Sequence, residues 1–256
     1  MAEVNIMRID AFSYREKISN AETVMLVPVG AVEQHGPHMP LGVDTILSTK
    51  MAELVAEKID GLVAPTIAFG YKSQPRSGGG THIVGTFGFS AAHVIESART
   101  LVNELFRHGL KKMVFVNGHY ENYQFVYEGV ELALRDIRAI SDKLPKVLIL
   151  SYWDFVTPEA LERLYPDGFP GWDIEHGGVL ETSLMLEHFP DLVHMDRVMD
   201  HPPAQLTNYD VLPEIPERTP HSGCLSSAKP SSAEKGRILT EVAVSEMVKA
   251  IQTEFA

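Results

Sequence analysis

Two short stretches of the chain place a carboxylate and an imidazole two residues apart. They are Glu33 and His35 in Gly30-Ala31-Val32-Glu33-Gln34-His35-Gly36, and His119 and Glu121 in Asn117-Gly118-His119-Tyr120-Glu121-Asn122. In extended backbone, residues i and i+2 point to the same side, so each pair can aim both groups at one place. Asp44, just after Leu41-Gly42-Val43, adds a third carboxylate near the first pair. Glu33, His35, Asp44, His119 and Glu121 form a hard-to-borderline donor set, suited to Zn²⁺ or Mn²⁺ and unsuited to soft-metal chemistry. Five donors are too many for one open catalytic zinc, but they suit two ions with Asp44 as the bridge. Two such ions ~3.5–4 Å apart can share and activate a water. Each of these residues taken alone reads equally well as a solvated loop residue; it is the two matching pairs together with Asp44 that favour a metal site.

Other residues carry weaker signals. His176 lies in the glycine-rich turn Trp172-Asp173-Ile174-Glu175-His176-Gly177-Gly178, where an imidazole can be a general acid or base, a metal ligand or an exposed helix-start residue. Spacing does not choose among these. Trp153 and Trp172, the only tryptophans, fall in loop positions, where this side chain is more often a core or interface anchor than a lid. Ser77-Gly78-Gly79-Gly80-Thr81-His82 could cradle an anion through its N–H groups, but it lacks the ending of a nucleotide-binding loop. Ser151, Ser222 and Cys224 offer nucleophiles without a G-x-S-x-G elbow around them.

The elements that must position these groups alternate. Val24–Val29, Leu62–Ile67, Met113–Val116 and Val147–Leu150 are short apolar runs of the kind that form strands buried on both faces. Helical periodicities lie between them: from Asp44 onward, from a Ser90 cap to Gly109, and after Asn122. Another starts at Val179 and Leu180, and the last runs from Ala233 to about Phe255. This alternation predicts an α/β fold, with a mostly parallel central sheet between helical layers. Binding sites of such sheets lie beyond the carboxyl ends of the strands, where both Glu/His pairs fall. Two long stretches without a clear period, 70–86 and 200–223, are expected to serve the site or a neighbouring subunit.

Composition narrows the partners. Across 256 residues, 22 Lys and Arg face 34 Asp and Glu, a formal net charge of −12, which argues against nucleic-acid and anionic-membrane partners. An apolar content of 45% supports an ordinary core, and the length fits one domain over residues 1–256. A single cysteine, Cys224, allows no intrachain disulfide. With no basic leader or long apolar stretch in view, this predicts a cytoplasmic protein.

The chain resembles the creatininase family of metal-dependent amidohydrolases. The likeness runs through VPVGAVEQHGPHMPLGVD (27–44), YKSQPRSGGGTH (71–82), VNGHYEN (116–122), LSYWDF (150–155), GWDIEHGGVLETSLML (171–186), HPPA (201–204) and SSAKP (226–230). Many relatives carry a glycine-rich NGHGGN-like segment where Tyr120 and Glu121 stand here, and the paired tryptophans mark the creatinine-hydrolysing branch. The resemblance implies one ion on Glu33, Asp44 and His119 and a second on His35, Asp44 and Glu121. It implies catalytic roles for His176, as the proton-transfer residue, and for Glu121. Ser77, Tyr120, Trp172 and Asp173 would contact substrate, and Trp153 and Trp172 would gate the site. The implied activity is reversible hydrolysis of creatinine to creatine in a homohexamer. The rival expectations are a related enzyme for another small cyclic amide or a formamide, and a non-catalytic metal-binding or scaffold protein.

Overall fold

The computed structural model describes residues 3–256. A four-stranded parallel sheet of order β2-β1-β3-β4 is built from β1 (Val24–Val29), β2 (Leu62–Val63), β3 (Lys112–Asn117) and β4 (Lys146–Ser151). The helices are α1 (Ala11–Ser19), α2 (Val43–Ile59), α3 (Ala91–Arg107), α4 (Tyr123–Arg138), α5 (Pro158–Leu164), α6 (Val179–His188) and α7 (Ala233–Phe255). All six residues of β1 are buried, as a strand covered on both faces requires.

Strand alternation sorts the core into two layers. Leu26, Val114 and Val116 face α2, α6 and α7, packing with Leu47, Met51, Leu184, Leu239 and Met247. Met25, Val27, Met113 and Phe115 face α3 and α4, packing with Val94, Ala98, Val102, Val126 and Ala133. The expected α/β/α layering is therefore present.

Register decides where the site forms. Val29 pairs with Asn117, and Asn117 with Ser151, so β1, β3 and β4 end in one row and their outgoing loops leave from one edge. Gly30 and Gly118 follow β1 and β3 directly. A Cβ at Gly30 would meet the Thr45 Cα at 2.5 Å, and one at Gly118 would meet the Asp44 carbonyl oxygen at 2.6 Å. Only bare backbone lets the first turn of α2 settle on both strand ends, and that contact brings Asp44 between them.

The second expected strand is shorter than its apolar run. Only Leu62–Val63 pairs as β2, and Ile67 returns as a single bridge to Val29, because Pro65 in the middle of the run has no N–H to donate. Two helices carry too little periodicity to be read from sequence. In α1 the Asp10 side chain caps the N–H groups of Phe12 and Ser13, and no residue is buried; α5 has a Thr157 cap and Pro158 in its first turn. Ser90 occupies the expected cap position of α3 without a side-chain cap bond, while Gly109, at φ +95°, takes the left-handed conformation expected beyond its end.

Candidate metal centre

The loop leaving β1 carries Glu33 and His35, the first turn of α2 carries Asp44, and the loop leaving β3 carries His119. All four are buried. The Nδ1–H of His35 donates to the Glu33 carbonyl at 3.1 Å, which leaves Nε2 bare and facing inward. That atom lies 3.0 Å from Asp44 Oδ1 and 3.4 Å from Glu181 Oε1. His119 is turned the other way: its Nε2–H donates to the Tyr71 carbonyl at 3.0 Å, and Nδ1 lies 3.1 Å from Asp44 Oδ2 and 3.4 Å from Glu33 Oε1. Two donor triads result, Glu33–Asp44–His119 and His35–Asp44–Glu181, with Asp44 common to both.

The second triad differs from the sequence-based set, because Glu121 lies apart from it. Residues 120–122 form a 3₁₀ turn, so the rule that i and i+2 point alike in extended backbone fails for His119 and Glu121. Glu121 Oε2 lies 3.3 Å from His119 Nε2, on the far side of the ring from Asp44. Its Oε1 accepts from the Gln74 N–H at 2.9 Å and from Ser77 Oγ at 2.6 Å. Glu121 thus steadies the histidine as a carboxylate behind a ligating imidazole does. Its place in the triad is taken by Glu181, whose other oxygen accepts from the Gly177 N–H at 2.7 Å. A signal for Glu181 was present in the sequence: it is the acidic residue in a helix start that otherwise reads Val179-Leu180 and Thr182-Ser183-Leu184, all of them buried.

The site is built for cations. Glu33 Oε2, His35 Nε2 and Asp44 Oδ2 are buried without a hydrogen-bond partner, an arrangement that costs stability unless a metal or proton satisfies the atoms. Burial alone would lower His35 and His119, yet carboxylates hold both well above the ordinary imidazole value: Glu181 and Asp44 around His35, Glu121 and Glu33 around His119. Burial would raise Asp44, but His35 and His119 outweigh it and hold this carboxyl well below its usual range. A pocket that draws positive charge this strongly, with only oxygen and nitrogen donors, fits Zn²⁺ or Mn²⁺.

Above the cluster lies a cleft lined by Ser77, Tyr120, Trp153, Trp172, Asp173 and His176. Each candidate substrate-contacting residue therefore reaches one space. Tyr120 and Trp172 stand partly in solvent, 63% and 40% exposed, whereas Trp153 packs against the core edge-on to Tyr152. His176 is buried, its ring 4.4 Å from that of His35. Its Nε2–H donates to the Gln34 carbonyl at 2.9 Å, so the neutral ring keeps its lone pair on Nδ1, 3.4 Å from Glu33 Oε1. Gln34, which the sequence did not single out, is itself held by donating to the Gly223 carbonyl at 2.7 Å. Glu175 also lines the cleft, and burial pushes its carboxyl up to about 7.

The family model Creatininase, described as creatinine amidohydrolase, matches residues 11–251. The chain belongs to the creatininase family. Creatinine amidohydrolase of Pseudomonas putida is 51% identical over 243 residues, covering 94% of this chain and 94% of that protein. A solved creatininase described as its Mn form is 49% identical with a TM-score of 0.98, over 99% of both chains. A mutant creatininase complexed with creatine is 48% identical with a TM-score of 0.96, again over 99% of both. The creatininase fold therefore extends through the loops that build the site as well as the sheet beneath them.

Proposed function

We propose that this chain is a creatinine amidohydrolase, one catalytic unit over residues 1–256. It would add water across the ring amide of creatinine to give creatine, and run the reverse reaction. What carries this is the pairing of buried, unpartnered donor atoms on Glu33, His35 and Asp44 with a cleft edged by Tyr120, Trp153 and Trp172, in a chain 51% identical to a creatinine amidohydrolase.

Glu33, Asp44 and His119 would hold one divalent ion, and His35, Asp44 and Glu181 the other, as Zn²⁺ or Mn²⁺. Bound there, such ions supply an activated water at neutral pH and polarise a carbonyl. The protein's own groups do the rest. When water adds to the ring carbonyl carbon and the C–N bond breaks, the departing nitrogen needs a proton, because an amide nitrogen leaves poorly as an anion. His176 is placed to carry it: with its Nε2–H held by the Gln34 carbonyl, the Nδ1 lone pair facing the cluster would take a proton from the adding water and pass it to the departing nitrogen. Glu121 keeps His119 oriented. It also takes the Ser77 hydroxyl hydrogen, so that Ser77 offers substrate an acceptor lone pair. Trp172 and Trp153 supply flat apolar surface for stacking and for excluding bulk water. Asp173, on the exposed rim, suits the guanidinium-like end of the ligand.

We place the enzyme in the cytoplasm as a homohexamer. The lone buried Cys224 fits a reducing compartment, and among the described residues no helix is long and apolar enough to cross a membrane. Exposed Leu41, Phe69, Val84 and Phe87 offer apolar surface for subunit contact, and sedimentation velocity would give the subunit number.

The deciding experiment is creatine formation from creatinine by purified protein, before and after chelation and with Mn²⁺ or Zn²⁺ restored. Turnover that disappears with chelation and returns with metal is the expected result. A fully metallated protein that forms no creatine would turn attention to other small cyclic amides and formamides.

A further inference from the structure

The segment between α5 and α6 carries Trp172, Asp173 and His176, yet little fixes its outer part. Gly168 and Gly171 sit at φ +105° and +115°, and a Cβ at either would meet nothing within 4 Å. The backbone bonds there are local, from the Gly168 N–H to the Tyr165 carbonyl, and from the Ile174 and Glu175 N–H groups to Gly171 and Trp172. Such a segment is free to swing unless its ends are tied.

The tie is made by two side chains at those ends. Tyr165, directly after α5, donates its hydroxyl to Glu175 Oε1 at 2.5 Å. The same oxygen accepts the Leu180 N–H, an otherwise unsatisfied donor in the first turn of α6. Glu175 Oε2 accepts from Ser226 Oγ at 3.1 Å. One buried carboxyl thus joins the end of α5, the start of α6 and the 226 loop. An aromatic stack runs from Tyr165 to Phe169 at 4.9 Å and from Phe169 to Trp172 at 4.8 Å, so the tie at Tyr165 reaches the indole over the cleft.

On the footing of the creatinine hydrolysis above, we propose that Glu175 and Tyr165 are positioning residues. Their hydrogen bond closes the 165–175 segment and sets Trp172 and Asp173 for substrate binding, while the ions are held independently. That independence follows from Glu181, which is fixed by the Gly177 N–H and not by Glu175. A neutral group suffices for the tie. In Glu175→Gln the amide oxygen keeps Tyr165 and Leu180, and Ser226 turns its hydroxyl to accept from the amide NH₂.

The test uses metal-loaded protein and three variants. Tyr165→Phe is expected to raise the KM for creatinine by about three- to tenfold, the scale of one neutral hydrogen bond, with kcat and metal content nearly unchanged. Glu175→Ala should raise KM further, and Glu175→Gln should restore it to near the wild-type value. Trp172 gives a readout independent of turnover. In a Trp153→Phe background it is the sole tryptophan, and adding Tyr165→Phe should lower its fluorescence anisotropy. Unchanged KM and unchanged anisotropy in Tyr165→Phe would overturn the proposal, as would a Glu175→Gln protein as impaired as Glu175→Ala. Should the wild type fail to open creatinine, the substrate assignment falls, and the anisotropy comparison still decides whether the tie orders the loop.

Discussion

Glu181 Oε1 lies 3.4 Å from His35 Nε2, although the two residues come from opposite halves of the chain. This contact places Glu181, and not Glu121, beside His35 and Asp44, and the proposed second ion would take it as a ligand. Glu181→Gln keeps an acceptor for the Gly177 N–H but loses the charge, so it is expected to lose one of two bound ions and at least ~10²-fold in kcat. Glu121→Gln meets the ligand cluster only through the far nitrogen of His119, its other contacts being the Gln74 N–H and the Ser77 hydroxyl, and metal affinity should fall by the ~10–100-fold usual for an outer partner. Metal analysis after gel filtration separates the two; equal metal loss in both variants would refute the distinction.

Asp44 belongs to both triads. Asp44→Asn is expected to release or misplace both ions and to abolish turnover. A variant that retains two ions with near-normal kcat would remove Asp44 from the bridging position.

His176 is buried and tied by Nε2 to Gln34. His176→Gln should keep its metal and its fold while kcat drops by ~10²–10⁴, the span for a lost general acid–base group. Wild-type turnover in this variant would take His176 out of the reaction.

Glu175 predicts a pH dependence of stability. Burial raises its folded carboxyl from 4.5 to about 7, so the folded state prefers the protonated form. Its stabilising contribution is complete below the unfolded value and is lost as pH rises through about 7. Glu175→Gln stays neutral throughout. Its melting temperature should match wild type near pH 4 and exceed it at pH 8, by the equivalent of up to about 3 kcal/mol. With metal content matched, a gap that does not widen over this range would contradict the assignment.

Cys224 is buried between the loops of the site: a Cβ at Gly36 or Gly177 would lie 2.4 or 2.7 Å from its sulfur. Burial pushes its thiol up to about 12, so the thiolate is scarce at neutral pH. Iodoacetamide should label it only as fast as the protein opens, and rapidly in denaturant. Fast labelling of the native protein would show the packing to be looser than described.

Much of this molecule was legible in the residues alone. The apolar runs marked β1, β3 and β4 because strands covered on both faces need continuous hydrophobic sequence. The helices α2, α3, α4 and α7 announced themselves because amphipathic periodicity is a local property. Glu33, His35, Asp44 and His119 could be picked out because loops after parallel strands converge on one edge. Tertiary structure alone decided the rest. Pro65 cut short the second strand, since a strand needs paired N–H groups as well as apolar side chains. The 3₁₀ turn at Tyr120–Asn122 rotated Glu121 behind His119, and the packing of α6 brought Glu181 to His35. Donor identity follows from composition and spacing, but which donors meet depends on backbone turns and helix docking, and these are set by contacts between residues far apart in the chain.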